Sequence, residues 1–250
     1  MFVSLVGIVG AVCAMAQAPL RIAAEADLQP VLTPVLAGFE QATGIHAKAT
    51  YQASAELATQ IEKGAPVDVF LAEDRRYPQR LIDAGLADAA GSPDSSTAII
   101  YAKGTLVLWV RKGSKLGAPA LETLKNPLLK RLAIANPPAS AYGRAAIAAL
   151  ERLGVFDTLQ TKLVTPQAAQ FEDLANEDAA LISLALASTA RMSASGTYFV
   201  IPRTLYPPIE FGAVIVSKTA QRDNVHKFLD YLLSPVVQAQ LEKSGLMRAR

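Results

Sequence analysis

Hydrophobic and polar positions along the chain fall into blocks that read as strands and helices in turn. Leu20–Ala24 is a short, largely apolar run, and after Asp27 the positions Leu28, Val31, Leu32, Val35, Leu36 and Phe39 recur at helical spacing before Gly44. That pattern predicts an amphipathic helix closed by a glycine cap. A second strand is expected over Ala47–Tyr51, leading through Gln52-Ala53-Ser54 into a helix that carries Leu57 and Ile61 and stops at Gly64. Val67–Ala72 follows as a buried strand, then a helix with Leu81 and Ile82 ending at Gly85. Alternation of this kind builds a parallel sheet from βαβ units.

The alternation breaks at Ala98–Tyr101 and Thr105–Val110, two apolar runs separated by Ala102-Lys103-Gly104. It resumes with Leu132–Ala135, a helix from Gly143 to Leu153, a helix near Ala168–Asn176, the run Ala180–Leu186, and Tyr198–Ile201. Phe211–Val216 and two amphipathic helices, one with Val225, Phe228, Leu229 and Leu232 and one with Val237 and Leu241, close the chain. The pattern predicts two α/β units with crossovers at Lys103 and near Pro207–Gly212. The expected division is 17–103 with 212–250 as lobe 1, and 104–211 as lobe 2.

Residues 1–16 stand outside this scheme. They carry no charged side chain, run apolar from Phe2 to Ala14 and end in Ala14-Met15-Ala16, which reads as a secretory signal peptide cleaved near Ala16. Cleavage there removes Cys13, the single cysteine, as suits an oxidising compartment. Later apolar stretches are too short for a membrane span.

Composition mainly excludes. A chain of 250 residues with 51% hydrophobic side chains can bury a core in one or two domains. Its 24 Lys and Arg against 22 Asp and Glu are spread without blocks, so there is no nucleic-acid footprint. One Cys and two His cannot build a thiolate cluster or a zinc triad, so redox and thiolate-metal chemistry recede. No G-x-S-x-G elbow, phosphate loop or dinucleotide fingerprint occurs, which argues against an enzyme. His46 opens a strand and His226 sits on a helix, where solvated or structural roles suffice.

What remains is binding where strand ends meet helix starts. Four turns stand out: Glu25-Ala26-Asp27, Gln52-Ala53-Ser54, Asn136 to Gly143 with Tyr142, and Thr165 to Ala169. Each presents first-turn N–H groups that favour an anion. Equally, Asp27 and Ser54 are residue types that simply cap helices.

At these turns the chain resembles the molybdate-binding periplasmic proteins of ABC transporters, which are type II solute-binding proteins. The matching stretches include Phe39-Glu-Gln-Ala-Thr-Gly44, Leu57 to Asp74 with its Gln-Ile-Glu-Lys-Gly-Ala-Pro-Val-Asp-Val-Phe run, Leu132-Ala-Ile-Ala-Asn-Pro137 with Ala141-Tyr-Gly143, Leu150-Glu-Arg-Leu-Gly154 and Leu205-Tyr-Pro-Pro-Ile209. The resemblance implies a periplasmic binding protein-like type II fold, α/β in class, with two lobes hinged about a cleft. It implies a non-enzymatic, monomeric protein, without a metal or organic cofactor, that closes on molybdate or tungstate and hands it to a membrane permease. By position, the ligand contacts it implies are Ala26, Asp27, Ala53, Ser54, Tyr142 and Ala169.

The chain departs from that family where it matters. Asp27 stands where members carry Ser or Asn, Gln52 to Glu56 replaces a Gly-Ser-rich turn, Phe211 replaces a frequent Gln and Ala180 a Gly, marking a divergent member. An ionised Asp27 offers an anion no donor. Unit charges about 4 Å apart repel by roughly 4 kcal/mol at an effective dielectric of 20, and a dianion doubles that. Asp27 could instead cap its own helix, or Arg144 could neutralise it across the cleft. Alternatively Glu25, Asp27 and Glu56 mark a paralogue whose cleft takes a neutral or cationic ligand. A periplasmic sensor or interaction module is a further alternative.

Overall fold

A computed structural model describes residues 18–89, 96–166 and 177–249. The expected signal segment and the helix expected near Ala168–Asn176 lie outside the described residues.

The chain begins with β1 (Leu20–Glu25), a short 3-10 turn (Ala26–Leu28), α1 (Gln29–Thr43), β2 (Ala47–Gln52), α2 (Ser54–Glu62), β3 (Val69–Ala72) and α3 (Arg76–Asp83). In α1 the apolar positions Leu32, Val35, Leu36 and Phe39 are all buried, and Leu28 just before it as well. The helix stops where Gly44 takes a left-handed φ of 71° and its N–H reaches the Glu40 carbonyl at 2.8 Å. After β4 (Ala87–Asp88), β5 (Ile99–Gly104) and β6 (Leu106–Arg111) come β7 (Leu132–Ile134), α4 (Ala141–Arg152), β8 (Leu163–Val164) and β9 (Ala179–Ser183). The chain ends through β10 (Gly196–Val200), β11 (Ile209–Val216), α5 (Arg222–Leu232), α6 (Pro235–Lys243) and β12 (Met247–Arg248).

The strands form two sheets. The first has the order β12-β5-β11-β3-β1-β2, with β4 also paired to β11, and the second has the order β10-β6-β9-β7-β8. Strands β2, β1 and β3 are mutually parallel, as the βαβ pattern predicts, but β11 runs antiparallel to β3 and to β5. The sheet is therefore mixed. The reason is topological: β5 leaves the first sheet toward the second and β11 returns from it, so neither is laid down by a βαβ crossover. In the second sheet β7 lies parallel to β8 and β9, and β6 antiparallel to β9 and β10. The chain passes between sheets at Thr105 and again between Val200 and Ile209.

The C-terminal helices return to the first sheet. Phe39 of α1 meets Phe228 of α5 edge-on at 5.4 Å, and Gln238 of α6 donates to the Tyr101 carbonyl of β5 at 3.0 Å. Behind β1, the fully buried Asp68 takes two hydrogen bonds from the Arg21 guanidinium, at 2.9 and 2.7 Å, and one from Thr219 at 2.7 Å. These bonds fix the β3 entry to β1 and to the segment after β11. Both sheets thus turn strand C-termini toward the same region, and what gathers there defines the site.

Candidate functional site

The C-terminal ends of β1, β2, β3, β7 and β9 converge on a cavity of about 430 Å³. The first sheet contributes Glu25, Asp27, Ala53, Ser54 and Glu73. The second contributes Asn136, Ser140, Tyr142, Thr165, Leu181, Ile182 and Ser183. Of the ligand contacts that the resemblance implies, Asp27, Ala53, Ser54 and Tyr142 line this cavity. Ala26 is exposed and does not line the cavity; its N–H is taken by the Glu25 Oε1 at 3.2 Å. Ala169 lies outside the described residues, while Thr165 and Pro166 just before it line the wall.

Neither expected cap forms. Asp27 lies within the 3-10 turn whose N-cap is Glu25, and Leu28 precedes α1 without a side-chain cap. Ser54 is the first residue of α2, with Ala53 at the N-cap. The physical reason is Glu25. Its Oε2 accepts from the Ser54 N–H at 2.6 Å and from the Ser54 hydroxyl, so one carboxylate serves the starts of both the 3-10 turn and α2. Those are the donors an incoming anion would use at that helix end.

Nor does Arg144 answer Asp27. Its guanidinium donates to Asp74 at 2.6 Å and to the carbonyls of Pro137 and Ser140 at 3.1 and 2.9 Å. Arg76 holds the same Asp74 at 3.1 Å and reaches the Pro138 carbonyl, and the Tyr77 hydroxyl donates to the Ala139 carbonyl at 2.9 Å. Together with the Ser140 hydroxyl on Glu73 at 3.0 Å, these bonds tie the turn before α4 to the turn after β3.

The cavity wall is acidic. Glu73 follows β3 directly, and burial, then the charges of Glu25 and Asp27, push its carboxyl well above the ordinary glutamate range against the opposing Ser140 bond. Burial also raises Glu25, despite its bonds from Ser54, and Asp27 adds to the rise. Glu56, by contrast, is exposed on α2 and does not line the cavity. Glu73 escaped the strand-to-helix reading because the β3–α3 turn carries no Ser, Thr or Gly signature. Its position directly after a four-residue buried strand is the signal that could have found it.

Tyr142 completes the site. It is 5% exposed, and its Oη has no hydrogen-bond partner among the described residues. Burial, then Glu73, hold its proton on well above the usual tyrosine range, so it keeps an O–H to donate. The hydroxyl reaches this depth because residue 104 is glycine: a Cβ there would sit 2.3 Å from it. Phe211 packs edge-on to the ring at 6.5 Å. The described residues include no cluster of His, Cys, Asp and Glu fit for a metal ion, and no helix long and apolar enough to cross a membrane.

Comparison with known proteins places this architecture. The sequence profile of the family described as bacterial extracellular solute-binding protein matches residues 20–247. The molybdate-binding protein ModA of Azotobacter vinelandii is 30% identical over 237 residues, covering 93% of this chain and 91% of that one. Its counterpart in Rhodobacter capsulatus is 32% identical over 208 residues, covering 83% and 79%. The solved structure of the Azotobacter vinelandii periplasmic molybdate-binding protein superposes with a TM-score of 0.77 at 28% identity, over 91% of this chain and 98% of that one.

Proposed function

The chain belongs to the bacterial extracellular solute-binding proteins, within the group of molybdate-binding relatives, and from that premise we propose that it is the substrate-binding component of an ABC importer for molybdate or tungstate. The observation that carries the reading is the cavity itself. Strand-to-helix turns from two sheets meet there, with Ser54 on one wall and, on the other, Tyr142, whose hydroxyl has no partner among the described residues. Such a site replaces an oxyanion's hydration shell with O–H and N–H donors and needs no metal or cofactor. In this reading the two sheets, each with its helices, are lobes that close on the ligand, the chain crossing between them at Thr105 and between Val200 and Ile209 rather than at 103 and 212, and Ala169 is a further ligand contact. The protein is exported with its signal peptide removed near Ala16, works as a periplasmic monomer, delivers its ligand to a membrane permease and catalyses no reaction.

A thermal-shift titration of ligand-stripped protein with molybdate, tungstate and sulfate tests this, since a ligand at 100 times its dissociation constant adds about 2.7 kcal/mol. No shift with molybdate or tungstate at millimolar concentration would refute it.

One observation favours a second reading. Three carboxylates, Glu25, Asp27 and Glu73, line the cavity, and such a wall suits a neutral or cationic ligand. Under that reading the parent protein binds neither oxyanion, while Asp27→Asn gains measurable affinity.

A further inference from the structure

We propose that the cavity takes up a proton together with its oxyanion, held between a ligand oxygen and the carboxyl of Glu73, and that Glu73 thereby selects oxyanions of weak acids. The proposal deepens the oxyanion reading above and rests on it.

Glu73 faces carboxylates and phenols from every side. Glu25 on β1, Asp27 on the 3-10 turn, the adjacent Asp74, Tyr101 on β5 and Tyr142 on α4 are its titratable neighbours. The cations close by, Arg76 and Arg144, are engaged by Asp74. Ser140 occupies one oxygen of Glu73, Oε1, which leaves Oε2 to carry a proton. An independent feature marks the same cavity as a ligand site: Tyr142, a residue 95% buried, lines it, and its hydroxyl has no partner among the described residues. That hydroxyl has an O–H to donate, and an oxyanion supplies an acceptor for it.

An oxyanion that reaches Tyr142 lies beside Glu73. An ionised Glu73 would repel it and offer no donor, whereas a protonated Glu73 donates its O–H to a ligand oxygen. The proton comes from solvent: carboxylate plus proton gives the carboxylic acid, with no other bond made or broken. Anion binding and Glu73 ionisation are then mutually exclusive, and linkage makes the binding step consume a proton. Burial and the neighbouring charges already favour the protonated form. Sulfate, the anion of a strong acid, is too weak a base to share that proton well.

The test is calorimetric titration of ligand-stripped protein with molybdate from pH 6 to 8.5, in buffer pairs of different ionisation enthalpy. The proposal predicts proton uptake that climbs with pH toward one per molybdate, and a Kd that rises with it by up to about tenfold per pH unit. In Glu73→Gln, whose amide donates without titrating, the proton count falls toward zero and the profile flattens. Sulfate should bind the parent at least about 100-fold more weakly than molybdate. Molybdate binding without proton uptake and with a flat profile would overturn the proposal and leave the oxyanion reading standing. A parent-like proton count in Glu73→Gln would overturn the role of Glu73, and sulfate binding as tightly as molybdate would overturn the selection. No binding of molybdate or tungstate at any pH would overturn the oxyanion reading and the proposal with it.

Discussion

Replacing Tyr142 by Phe removes one oxygen from the site, and the account requires its effects on stability and on binding to have opposite signs. The hydroxyl is buried, with the residue 5% exposed, and has no partner among the described residues. A buried hydroxyl left unsatisfied costs about 1–3 kcal/mol, and Phe fills the same space without that penalty. The ligand-free variant should therefore be about 1 kcal/mol more stable, a rise in Tm of about 2–4 °C for a chain of this length. Binding should weaken, because a hydrogen bond to a charged group contributes about 1.5–3 kcal/mol, or about 10- to 150-fold in Kd. Scanning calorimetry of ligand-stripped protein and a molybdate titration read the two quantities separately. A ligand-free variant that melts lower than the parent would show that the hydroxyl already has a structural partner. An unchanged Kd would show that the ligand does not touch Tyr142, and either result refutes the reasoning.

Glu25→Gln keeps an acceptor for Ser54 but removes the charge at the start of α2. A ligand oxygen sharing the Ser54 N–H lies about 4–5 Å from that carboxylate, where each unit of charge costs about 4 kcal/mol, so molybdate should bind at least about tenfold tighter at pH 8. Unchanged affinity at pH 8 would remove the ligand from that helix end. The stability of the ligand-free protein should peak at mildly acid pH, from two opposed groups. Burial raises Asp68, but the bonds from Arg21 and Thr219 outweigh it and hold the carboxyl below its usual range, so its contribution is present above the unfolded value and lost as pH falls through the folded one. Glu73 is raised, so stability declines as pH climbs past the ordinary glutamate range toward its folded value. Melting curves across pH check both: Asp68→Asn should flatten the acid limb and cost about 2–4 kcal/mol at neutral pH, and Glu73→Gln should flatten the other limb. Gly104→Ala should destabilise by about 1–3 kcal/mol and weaken molybdate binding, because its methyl group displaces the Tyr142 hydroxyl, and an unaltered melt and Kd would count against that close approach.

Much of the scaffold was legible along the chain. The helical spacing from Leu28 to Phe39 became the buried face of α1, and Gly44 stops it in the left-handed conformation that its position requires. Uniform apolar runs were harder to divide. Ala180–Leu186 splits into the end of β9 and a helical turn because the Ser183 hydroxyl caps Leu186, a local bond that hydrophobicity does not encode. Likewise α4 starts at Ala141, before the expected Gly143, since Ser140 accepts from the Tyr142 N–H.

The site was legible by type and not by partner. Residues at strand ends could be listed as donors, but the bond from Ser54 to Glu25 spans 29 positions and that from Ser140 to Glu73 spans 67. Pairings at such range depend on how the sheets bring their ends together. The same holds for Arg144, which lies two residues from Tyr142 yet is claimed by Asp74, 70 positions away. Charge balance in this cavity is therefore a property of the fold, and the bulk net charge of +2 conceals an acidic wall.

The most direct measurement is anomalous scattering at the molybdenum edge from crystals of the ligand-stripped protein equilibrated with molybdate near pH 6. The account predicts a single peak in the cavity, its oxygens within hydrogen-bonding reach of Ser54 Oγ and Tyr142 Oη and one of them against Glu73. A protein that titrates with molybdate in solution yet shows the peak elsewhere, or no peak between those hydroxyls, would contradict it.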